Sequence, residues 1–475
     1  MRFHILRTLC FLFIASASFS QKFEPQINPQ DPSIPNWAKE MYLENPNVLE
    51  VDRLFKAYYK EHPFKQNNYT RYYKRWRRYV SQFLNDDGTI YFPSADERLS
   101  MANASQNLQS QRSNTWSFLG PIVHRAGKYA TTDSNAKISE HANVYCIDRS
   151  MTNPNVLFCG TECGGVYKTI DQGQNWQYVT GNQVIEDVSA ISIDPSNENT
   201  IVFSAANDIW RSNDGGQTWA ITGNAAFQAL NVSVYQFNFN PINPQIVFAA
   251  TNIGLYRSSD NGQNWAQVFS GESMSVEFMP GNPQIVYALQ YNSVSKVAEF
   301  FKSTDLGLTF QVKPNGWFTV PAADAGLIET RGGRIAVTQA NPNRVYVLLV
   351  GSSQSNATLQ LRGTIGVYSS ADVGENWTFP HNQLGMPYDL ATHPNLMDFD
   401  GFSSNYSQIY YNTAFACSQL NEQNLLIGGL NLWRSNDGGA SYLPVGGYVG
   451  GLPLMHVDLQ EFKVYKTSPT KDALK

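Results

Sequence analysis

The sequence predicts an all-β repeat fold preceded by a short α-helical segment, and three observations lead to that prediction. The motif Ser/Thr-x-Asp-x-Gly-x-x-aromatic occurs six times, with its aspartates at Asp171, Asp214, Asp260, Asp305, Asp372 and Asp437. Runs of β-branched and aromatic residues flank each copy, as strands around a turn should. The copies recur at intervals of about 45 to 65 residues, the length of one four-stranded unit. We therefore predict a β-propeller with six recognisable four-stranded blades plus the start of a seventh.

The first 20 residues have the pattern of a signal peptide. Arg2 and Arg7 supply positive charge before an apolar stretch, Leu9 to Ala15. Ser18-Phe19-Ser20 then supplies small residues ahead of a cleavage site. This stretch is too short to span a bilayer, and no other segment approaches that length. The sequence therefore predicts a secreted or cell-surface protein without a transmembrane segment.

Residues 21–101 differ in kind from the repeats. Apolar and aromatic residues recur at helical spacing in Pro35–Met41, Val51–Tyr59 and Tyr69–Leu84, which predicts two or three helices. Residues 102–114 are rich in Ser, Asn and Gln and are typical of a linker. The cations and aromatic residues of Arg71–Arg78 would fit nucleic-acid binding in isolation. Because the chain is predicted to be exported and has a formal net charge of −5, we expect no nucleic-acid partner.

Residues 115–475 form the predicted propeller. Each unit has the order strand, Asn-Pro turn, strand, short turn, strand, Asp-Gly turn, strand, as where Asn153-Pro154-Asn155 precedes Val156-Leu157-Phe158. The six motif aspartates are predicted to be structural, since a carboxylate can accept backbone N–H groups in a turn whose glycine takes a positive φ. A seventh unit starts at His456–Val464 and is one strand long. The propeller is thus predicted to be incomplete at its C-terminal end; a six-bladed ring with a trailing tail is the alternative.

Four cysteines follow the predicted signal peptide. They are Cys146, Cys159, Cys163 and Cys417. Cys159-x-x-x-Cys163 has no second pair of ligands at zinc-finger spacing, which argues against a zinc site. Buried free thiols are the default interpretation, because an unpaired cysteine packs as a small hydrophobic residue. A Cys146–Cys159 bridge on neighbouring strands is the alternative.

Candidate catalytic residues are the carboxylates of Asp187, Asp398, Asp400 and Asp458. A glycoside hydrolase needs two carboxylates that face each other across a cleft, one of them an acid. The sequence does not give their separation, and carboxylates in loops are usually solvated. A polysaccharide-directed hydrolase is therefore an alternative to binding.

The most distinctive stretch outside the repeats is His393–Asn405. Asp398-x-Asp400-Gly401, followed by Ser404 and Asn405, offers oxygen ligands around a glycine turn, which suits calcium. His456 and Asp458 alternate on one predicted strand, so both side chains lie on the same side and either bind a cation or hydrogen-bond each other. The candidate metal ligands are therefore Asp398, Asp400, His456 and Asp458, and a solvated acidic loop is the alternative.

The repeated motif resembles the Asp-box, or bacterial neuraminidase repeat, of sialidases, xyloglucan hydrolases and sortilin-like receptors. The order Asn395-Leu396-Met397, then Leu426 to Gly439, then His456-x-Asp458-x-Gln460 is similar to large exported proteins of Bacteroidetes-type bacteria. That resemblance implies a sortilin-like propeller and a sorting domain recognised by the type IX secretion machinery. The chain lacks the early Arg-Ile-Pro motif that the sialidase branch would imply.

These observations favour a binding or adhesion module over an enzyme. Propellers bind ligands at one face, and abundant aromatic and amide side chains suit carbohydrate or peptide recognition. The expected partner is a carbohydrate or protein ligand at the cell surface. The alternatives are the glycoside hydrolase and a structural propeller of a larger secreted protein.

Overall fold

A computed structural model describes most of the chain between residues 30 and 474. The described residues are 30–43, 45–65, 67–91, 124–125, 137–138, 143–162, 164–181, 185, 187–205, 208–222, 232–330, 332–380, 383–390, 392–402, 408–409, 411–449 and 458–474. The predicted signal peptide, the linker, Cys163 and His456 lie outside them. The chain divides into two compact units, a helical unit and a propeller unit.

The helical unit contains three helices, where the sequence predicted two or three. They are α1 (Asn36–Met41), α2 (Val48–Glu61) and α3 (Asn68–Val80), followed by a 3-10 turn at Ser81–Phe83. Trp37 is buried in the core of this unit. The carboxylate of Asp52 accepts hydrogen bonds from Tyr73 Oη and Arg77 Nε, both at 2.8 Å. These bonds join α2 to α3, so Arg77, in the cationic run, is paired inside the unit.

The propeller unit begins with a two-stranded pair, β1 (His124–Arg125) and β2 (Lys137–Ile138). Six four-stranded antiparallel sheets follow. Blades 1 to 3 consist of β3 (Val144–Arg149), β4 (Leu157–Thr161), β5 (Gly165–Thr169), β6 (Gln177–Tyr178), β7 (Val188–Ile193), β8 (Ile201–Ala205), β9 (Asp208–Ser212), β10 (Ala220–Thr222), β11 (Val234–Phe239), β12 (Val247–Thr251), β13 (Gly254–Ser258) and β14 (Ala266–Ser270).

Blades 4 to 6 consist of β15 (Ser273–Phe278), β16 (Val286–Asn292), β17 (Val297–Ser303), β18 (Gln311–Val312), β19 (Ile328–Glu329), β20 (Gly333–Val337), β21 (Val345–Ser353), β22 (Arg362–Ser370), β23 (Ala414–Cys417), β24 (Leu425–Gly428), β25 (Asn431–Ser435) and β26 (Leu443–Gly447). Blade 5 departs from the simple meander. Both β20 and β22 pair with β21, and β19 pairs with the C-terminal end of β21. An isolated bridge joins Ser369, in β22, to Thr378.

The first strands of successive blades contact one another from β3 to β23, with large apolar residues between the sheets. Phe158, Phe203, Phe248 and Phe300 are fully buried there. The predicted all-β propeller with six four-stranded blades is confirmed. No helix in the described part of the chain is both long enough and apolar enough to cross a bilayer.

The start of the seventh unit is a hairpin, although the sequence predicted one strand. β27 (Val464–Ser468) pairs with β28 (Lys471–Leu474), because Pro469-Thr470 forms a tight turn that lacks the Asn-Pro pattern of the other units. Tyr465 Oη donates to Asp148 in blade 1 at 2.8 Å, and Ser418 Oγ in blade 6 donates to Asp472 at 2.5 Å. The hairpin therefore bridges the last blade and the first.

The Asp-Gly turns share one hydrogen-bond pattern. In blade 4, Ser303 Oγ donates to Asp305 Oδ1 at 2.7 Å and accepts from Gly307 N at 2.9 Å. Thr309 donates to both carboxylate oxygens, through N at 2.9 Å and Oγ1 at 2.6 Å. The residue before the aromatic position is Asn, Thr or Ser in all six copies. The motif thus contains a further polar position that the sequence reasoning overlooked.

The described cysteines Cys146, Cys159 and Cys417 are buried free thiols, as the default interpretation expected. The alternative Cys146–Cys159 bridge is not formed. In the strand register Cys146 lies opposite Gly160, and Cys159 lies opposite Ile147. Burial raises the pKa of Cys159 and of Cys417 to about 12.

Candidate functional site

The two faces of the propeller carry different connections. Successive strands are antiparallel, so the Asn-Pro turns and the Asp-Gly turns lie at one face, which we call the turn face. Connections between second and third strands, and between blades, lie at the opposite loop face. The longest described connections at the loop face are 313–330, 354–361, 383–390 with 392–402, and 448–449. Long loops on a rigid scaffold are where binding residues concentrate.

The distinctive stretch at residues 393–402 folds tightly onto blade 6. Asn395 N donates to Gly401 O at 2.9 Å, which closes the loop. Gly401 has a φ of 75°, and an added Cβ would lie 2.6 Å from Leu390 and 3.2 Å from the ring of Trp433. Trp433 is fully buried. A glycine is therefore required where the loop approaches the core.

One buried amide holds this loop and the connection after β26 together. Asn431 is fully buried, and its Nδ2 donates to Asp398 O at 2.8 Å and to Phe399 O at 3.1 Å. Its Oδ1 accepts from Tyr448 N at 2.6 Å and Val449 N at 3.2 Å. All four bonds are to main chain, so the amide fixes the two backbones that carry Phe399 and Tyr448.

Phe399 and Tyr448 form an exposed aromatic pair at this point. Their ring centroids are 4.7 Å apart with planes inclined at 46°. Phe399 is 42 % exposed and Tyr448 46 % exposed. Beside them, Asp400 Oδ1 accepts from Phe402 N at 2.8 Å. Two exposed rings on backbones held by buried hydrogen bonds are preorganised for contact with a ligand.

A central channel of about 640 Å³ runs between the first strands of the blades. Pro195, Pro241 and Pro280 line it near the turn face, and Arg334, at the start of β20, lines it towards the loop face. Its charged and amide lining includes Asp148, Gln236, Asn238, Glu277, Arg334, Glu461 and Lys463. The volume falls within the range of ligand pockets, roughly 300–1,000 Å³.

Glu277, Glu461 and Lys463 interact electrostatically in the channel. Glu277 accepts from Gln236 Nε2 at 2.6 Å and from Asn238 Nδ2 at 2.9 Å, yet burial raises the pKa of its carboxyl group. Lys463 Nζ lies 3.3 Å from Glu461 Oε1. Burial alone would lower the pKa of Lys463, but the nearby carboxylates, Glu461 foremost, outweigh it and raise that pKa above its usual range.

Arg334 is a cation with spare donors in the channel. Its Nη1 donates to Met274 O at 3.0 Å and to Gly333 O at 3.2 Å. Among the described residues, Nε and Nη2 have no hydrogen-bond partner. Burial lowers the pKa of its guanidinium. Its position on a first strand, beside the glycine pair Gly332-Gly333, is the sequence signal that identifies it as a channel residue.

The four candidate carboxylates lie in three different connections. Asp187, with a φ of 54°, follows blade 1, and its N donates to Glu162 O at 3.1 Å. Asp398 is buried, and Asp400 follows it in the same loop. Asp458, with a φ of 82°, follows blade 6 and accepts from Asn412 Nδ2 at 2.7 Å. Within the residues that the structure describes, no three His, Cys, Asp or Glu side chains are grouped to hold a metal.

Comparison with known proteins finds likeness in solved structures alone. No protein-family model and no curated protein match the sequence. A GH74 xyloglucanase from Xanthomonas campestris matches with 13 % identity and a TM-score of 0.47, over 70 % of this chain and 50 % of that one. An ancestral GH74 enzyme matches with 18 % identity and a TM-score of 0.45, over 69 % and 42 %. The chain thus spans about half the length of these GH74 chains.

A third structure, described as YCF48 bound to D1 peptide, matches with 15 % identity and a TM-score of 0.42. The match covers 70 % of this chain and 90 % of that one. These likenesses concern the propeller fold.

Proposed function

We propose that the protein is an exported, cell-surface Asp-box propeller of the sortilin-like kind that binds a neutral polysaccharide at its loop face. Its sorting through the type IX machinery belongs to the same proposal and rests on the sequence resemblance. The observation on which the binding proposal rests is the exposed Phe399–Tyr448 pair, held in place by buried Asn431.

The chemistry of the pair suits a pyranose ring. An aromatic face packs against the C–H face of a sugar and removes apolar area from water, while a neighbouring polar group fixes orientation. The carboxylate of Asp400, the residue after Phe399, can accept hydrogen bonds from sugar hydroxyls. Because the backbones are already ordered, little conformational entropy is lost on binding.

The burial of Asp398, one of the candidate carboxylates, supports the binding proposal. An inverting or retaining glycosidase needs two carboxyl groups about 5–9.5 Å apart on opposite sides of the scissile bond. Asp398 is fully buried within its loop, where it is not accessible to a glycosidic bond, and Asp187 and Asp458 lie in other connections. A hydrolase, and a purely structural propeller in a larger secreted protein, are kept as outcomes of the test.

The test is affinity electrophoresis and pull-down with neutral polysaccharides, including xyloglucan, with release of reducing ends measured in the same samples. We expect Tyr448→Ala and Phe399→Ala to weaken retention at least tenfold, equivalent to about 1.4 kcal/mol. Tyr178→Ala, which removes a similarly exposed ring from β6, is the matched control and should leave retention unchanged. Reducing ends released by the wild type would establish a hydrolase, and no retention by any polysaccharide would leave the structural role.

A second candidate function is capture of a ligand carboxylate in the channel, which the spare donors of Arg334 favour. A guanidinium binds a carboxylate through paired, charge-assisted hydrogen bonds. The amide lining of Gln236 and Asn238 suits the N–H and C=O groups of a peptide chain end.

Hexapeptide libraries with a free or an amidated C-terminus distinguish this function by saturation-transfer NMR. We expect contact with the free acids alone, and loss of contact in Arg334→Ala but not in Lys56→Ala, which removes an exposed helical cation. Equal contact with amidated peptides would contradict it, and binding of oligogalacturonate instead would identify an acidic saccharide as the source of the carboxylate.

A further inference from the structure

One side of α3, in the helical unit, is strongly cationic. The helix contains five cationic residues and no acidic one. Lys74, Arg75 and Arg78 are all exposed, and their spacing along the helix places them on the same side. We call these three residues the cationic face.

The other side of α3 and its first turn are fixed by the structure. Tyr72, Trp76 and Val80 are buried in the core of the helical unit. At the start of the helix, Asn67 Oδ1 accepts from Thr70 N and Thr70 Oγ1 accepts from Asn67 N, both at 2.9 Å. These two bonds form a capping box, which stabilises the first turn. The cationic face is therefore carried by an ordered helix.

The carboxylate of α2 that contacts α3 does not neutralise this face. Asp52 Oδ2 lies 2.8 Å from Arg77 Nε, so it is already paired. Among the described residues, neither Lys74 nor Arg78 forms an ion pair with a carboxylate. The whole chain has a formal net charge of −5, so attraction for an anionic polymer has to come from a local basic surface such as this one.

An exposed aromatic ring lies beside the cationic face. Phe64, between α2 and α3, is 52 % exposed, and Lys74 Nζ lies 5.3 Å from the centroid of its ring. The ring of Tyr59 packs against Phe64 with a centroid distance of 5.1 Å. Phe64 and Lys74 thus present an apolar ring and a positive charge side by side, which suits one sugar that bears a carboxylate.

The same features argue against the other common polyanions. A helix that lies in a membrane surface buries its apolar side in lipid, but that side of α3 is occupied by the core of its own unit. Nucleic acid is not expected for a chain predicted to be exported. A polyuronate carries one carboxylate on each sugar, and the cations Lys74 and Arg78 lie about one helical turn, about 5.4 Å, apart.

We propose that the cationic face and Phe64 bind a linear polyuronate, at a site separate from the loop-face site for a neutral polysaccharide. One sugar ring packs on Phe64 while its carboxylate accepts a hydrogen bond from Lys74 Nζ. A carboxylate further along the polymer pairs with the guanidinium of Arg78 through charge-assisted hydrogen bonds, and Arg75 adds to the local positive charge. Each exposed contact is weak, and their repetition along one polymer raises the overall affinity.

The test is retention of the full chain on immobilised polygalacturonate, with elution by a salt gradient. The chain carries Tyr448→Ala, so that loop-face binding is weakened and the two sites are distinguished. The fully methyl-esterified polymer, which has the same backbone without the charge, is the matched ligand control. We expect retention on the acid form alone. Lys74→Gln combined with Arg78→Gln should raise the dissociation constant roughly fivefold and lower the salt concentration at elution.

The matched protein control is Lys56→Gln combined with Lys60→Gln. It removes two exposed charges at the same four-residue spacing from α2, a helix that also carries acidic residues, and should leave retention largely unchanged. Phe64→Ala should weaken binding to polygalacturonate but not to polyglutamate, which has carboxylates and no sugar rings. Arg334→Ala should have no effect, which separates this site from the channel.

Equal losses in the two double variants would overturn the proposal, because binding would then depend on total charge alone. Equal retention on the methyl-esterified polymer would overturn it as well. So would tighter binding to duplex DNA or to phosphatidylglycerol vesicles than to polygalacturonate, since the cationic face would then serve another class of polyanion.

Discussion

The hydroxyl of Tyr465 donates a hydrogen bond to Asp148 Oδ1 at 2.8 Å, across the junction between the C-terminal hairpin and the first blade. The Tyr465 hydroxyl oxygen also accepts a hydrogen bond from Arg149 N at 2.9 Å, and the guanidinium of Arg149 lies 4.1 Å from the centroid of the Tyr465 ring. Burial raises the pKa of Tyr465 well above its usual range, so the hydroxyl stays protonated and keeps donating. One side chain therefore closes the ring through three contacts.

Removal of this hydroxyl should destabilise the propeller. In Tyr465→Phe, Asp148 Oδ1 loses one donor and Arg149 N loses one acceptor, although the two remain bonded to each other at 2.9 Å; the net cost of lost intramolecular hydrogen bonds is about 0.5–1.5 kcal/mol each. We expect a corresponding fall in the free energy of unfolding in urea. Tyr178→Phe, at an exposed position of β6, should change it by less than about 0.5 kcal/mol. Equal unfolding midpoints for the two variants would show that the hairpin does not support the ring.

The Asp-Gly turns should weaken in acid. Hydrogen bonds from Thr309 lower the pKa of Asp305 to about 2, and those from Thr169 and Asn175 do the same for Asp171. In the unfolded chain an aspartate has a pKa of about 3.9. Between these values the unfolded state binds more protons, so stability rises with pH; the contribution is complete above about pH 4 and is lost as the pH falls towards about 2.

The variant Asp305→Asn tests this dependence. We expect it to unfold at lower urea than the wild type at pH 7, and the difference should shrink at pH 2.5, where the wild-type carboxyl group is becoming protonated. Glu61→Gln, at the exposed end of α2, should show no pH-dependent difference. An Asp305→Asn deficit of the same size at both pH values would mean that the ionised form of the carboxylate adds nothing.

The repeat made the fold predictable because it encodes a local turn. Ser303, Asp305 and Gly307 satisfy one another within five residues, so their spacing can be read from sequence. The candidate binding site was harder to predict from the sequence. Phe399 and Tyr448 are 49 positions apart in the chain (448 − 399) and meet only because Asn431 bonds to both backbones. Asn431, which joins the two rings' backbones, belongs to no sequence motif and to no periodic pattern that would have identified it.

Native-state thiol labelling should distinguish burial from reactivity. Only the thiolate reacts, and burial raises the pKa of Cys159 and Cys417 to about 12, so their thiolate fraction near neutral pH is very small. We expect negligible iodoacetamide labelling of both in the folded protein at pH 8 and complete labelling in urea, measured residue by residue by peptide mass spectrometry. Rapid native labelling of Cys417 would show that blade 6 opens on the experimental timescale.

Asn431 should control ligand binding without touching the ligand. Asn431→Ala removes four buried hydrogen bonds to main chain, so the backbones that carry Phe399 and Tyr448 lose their shared anchor. We expect polysaccharide retention to weaken towards that of Tyr448→Ala, although both rings remain, with stability reduced by about 1–3 kcal/mol. The measurement is made at a temperature where unfolding curves show the variant fully folded, with Gln174→Ala, an exposed turn-face position, as the control. Unchanged retention by folded Asn431→Ala would show that the ring pair is not preorganised by this amide, and that the exposed rings alone account for binding.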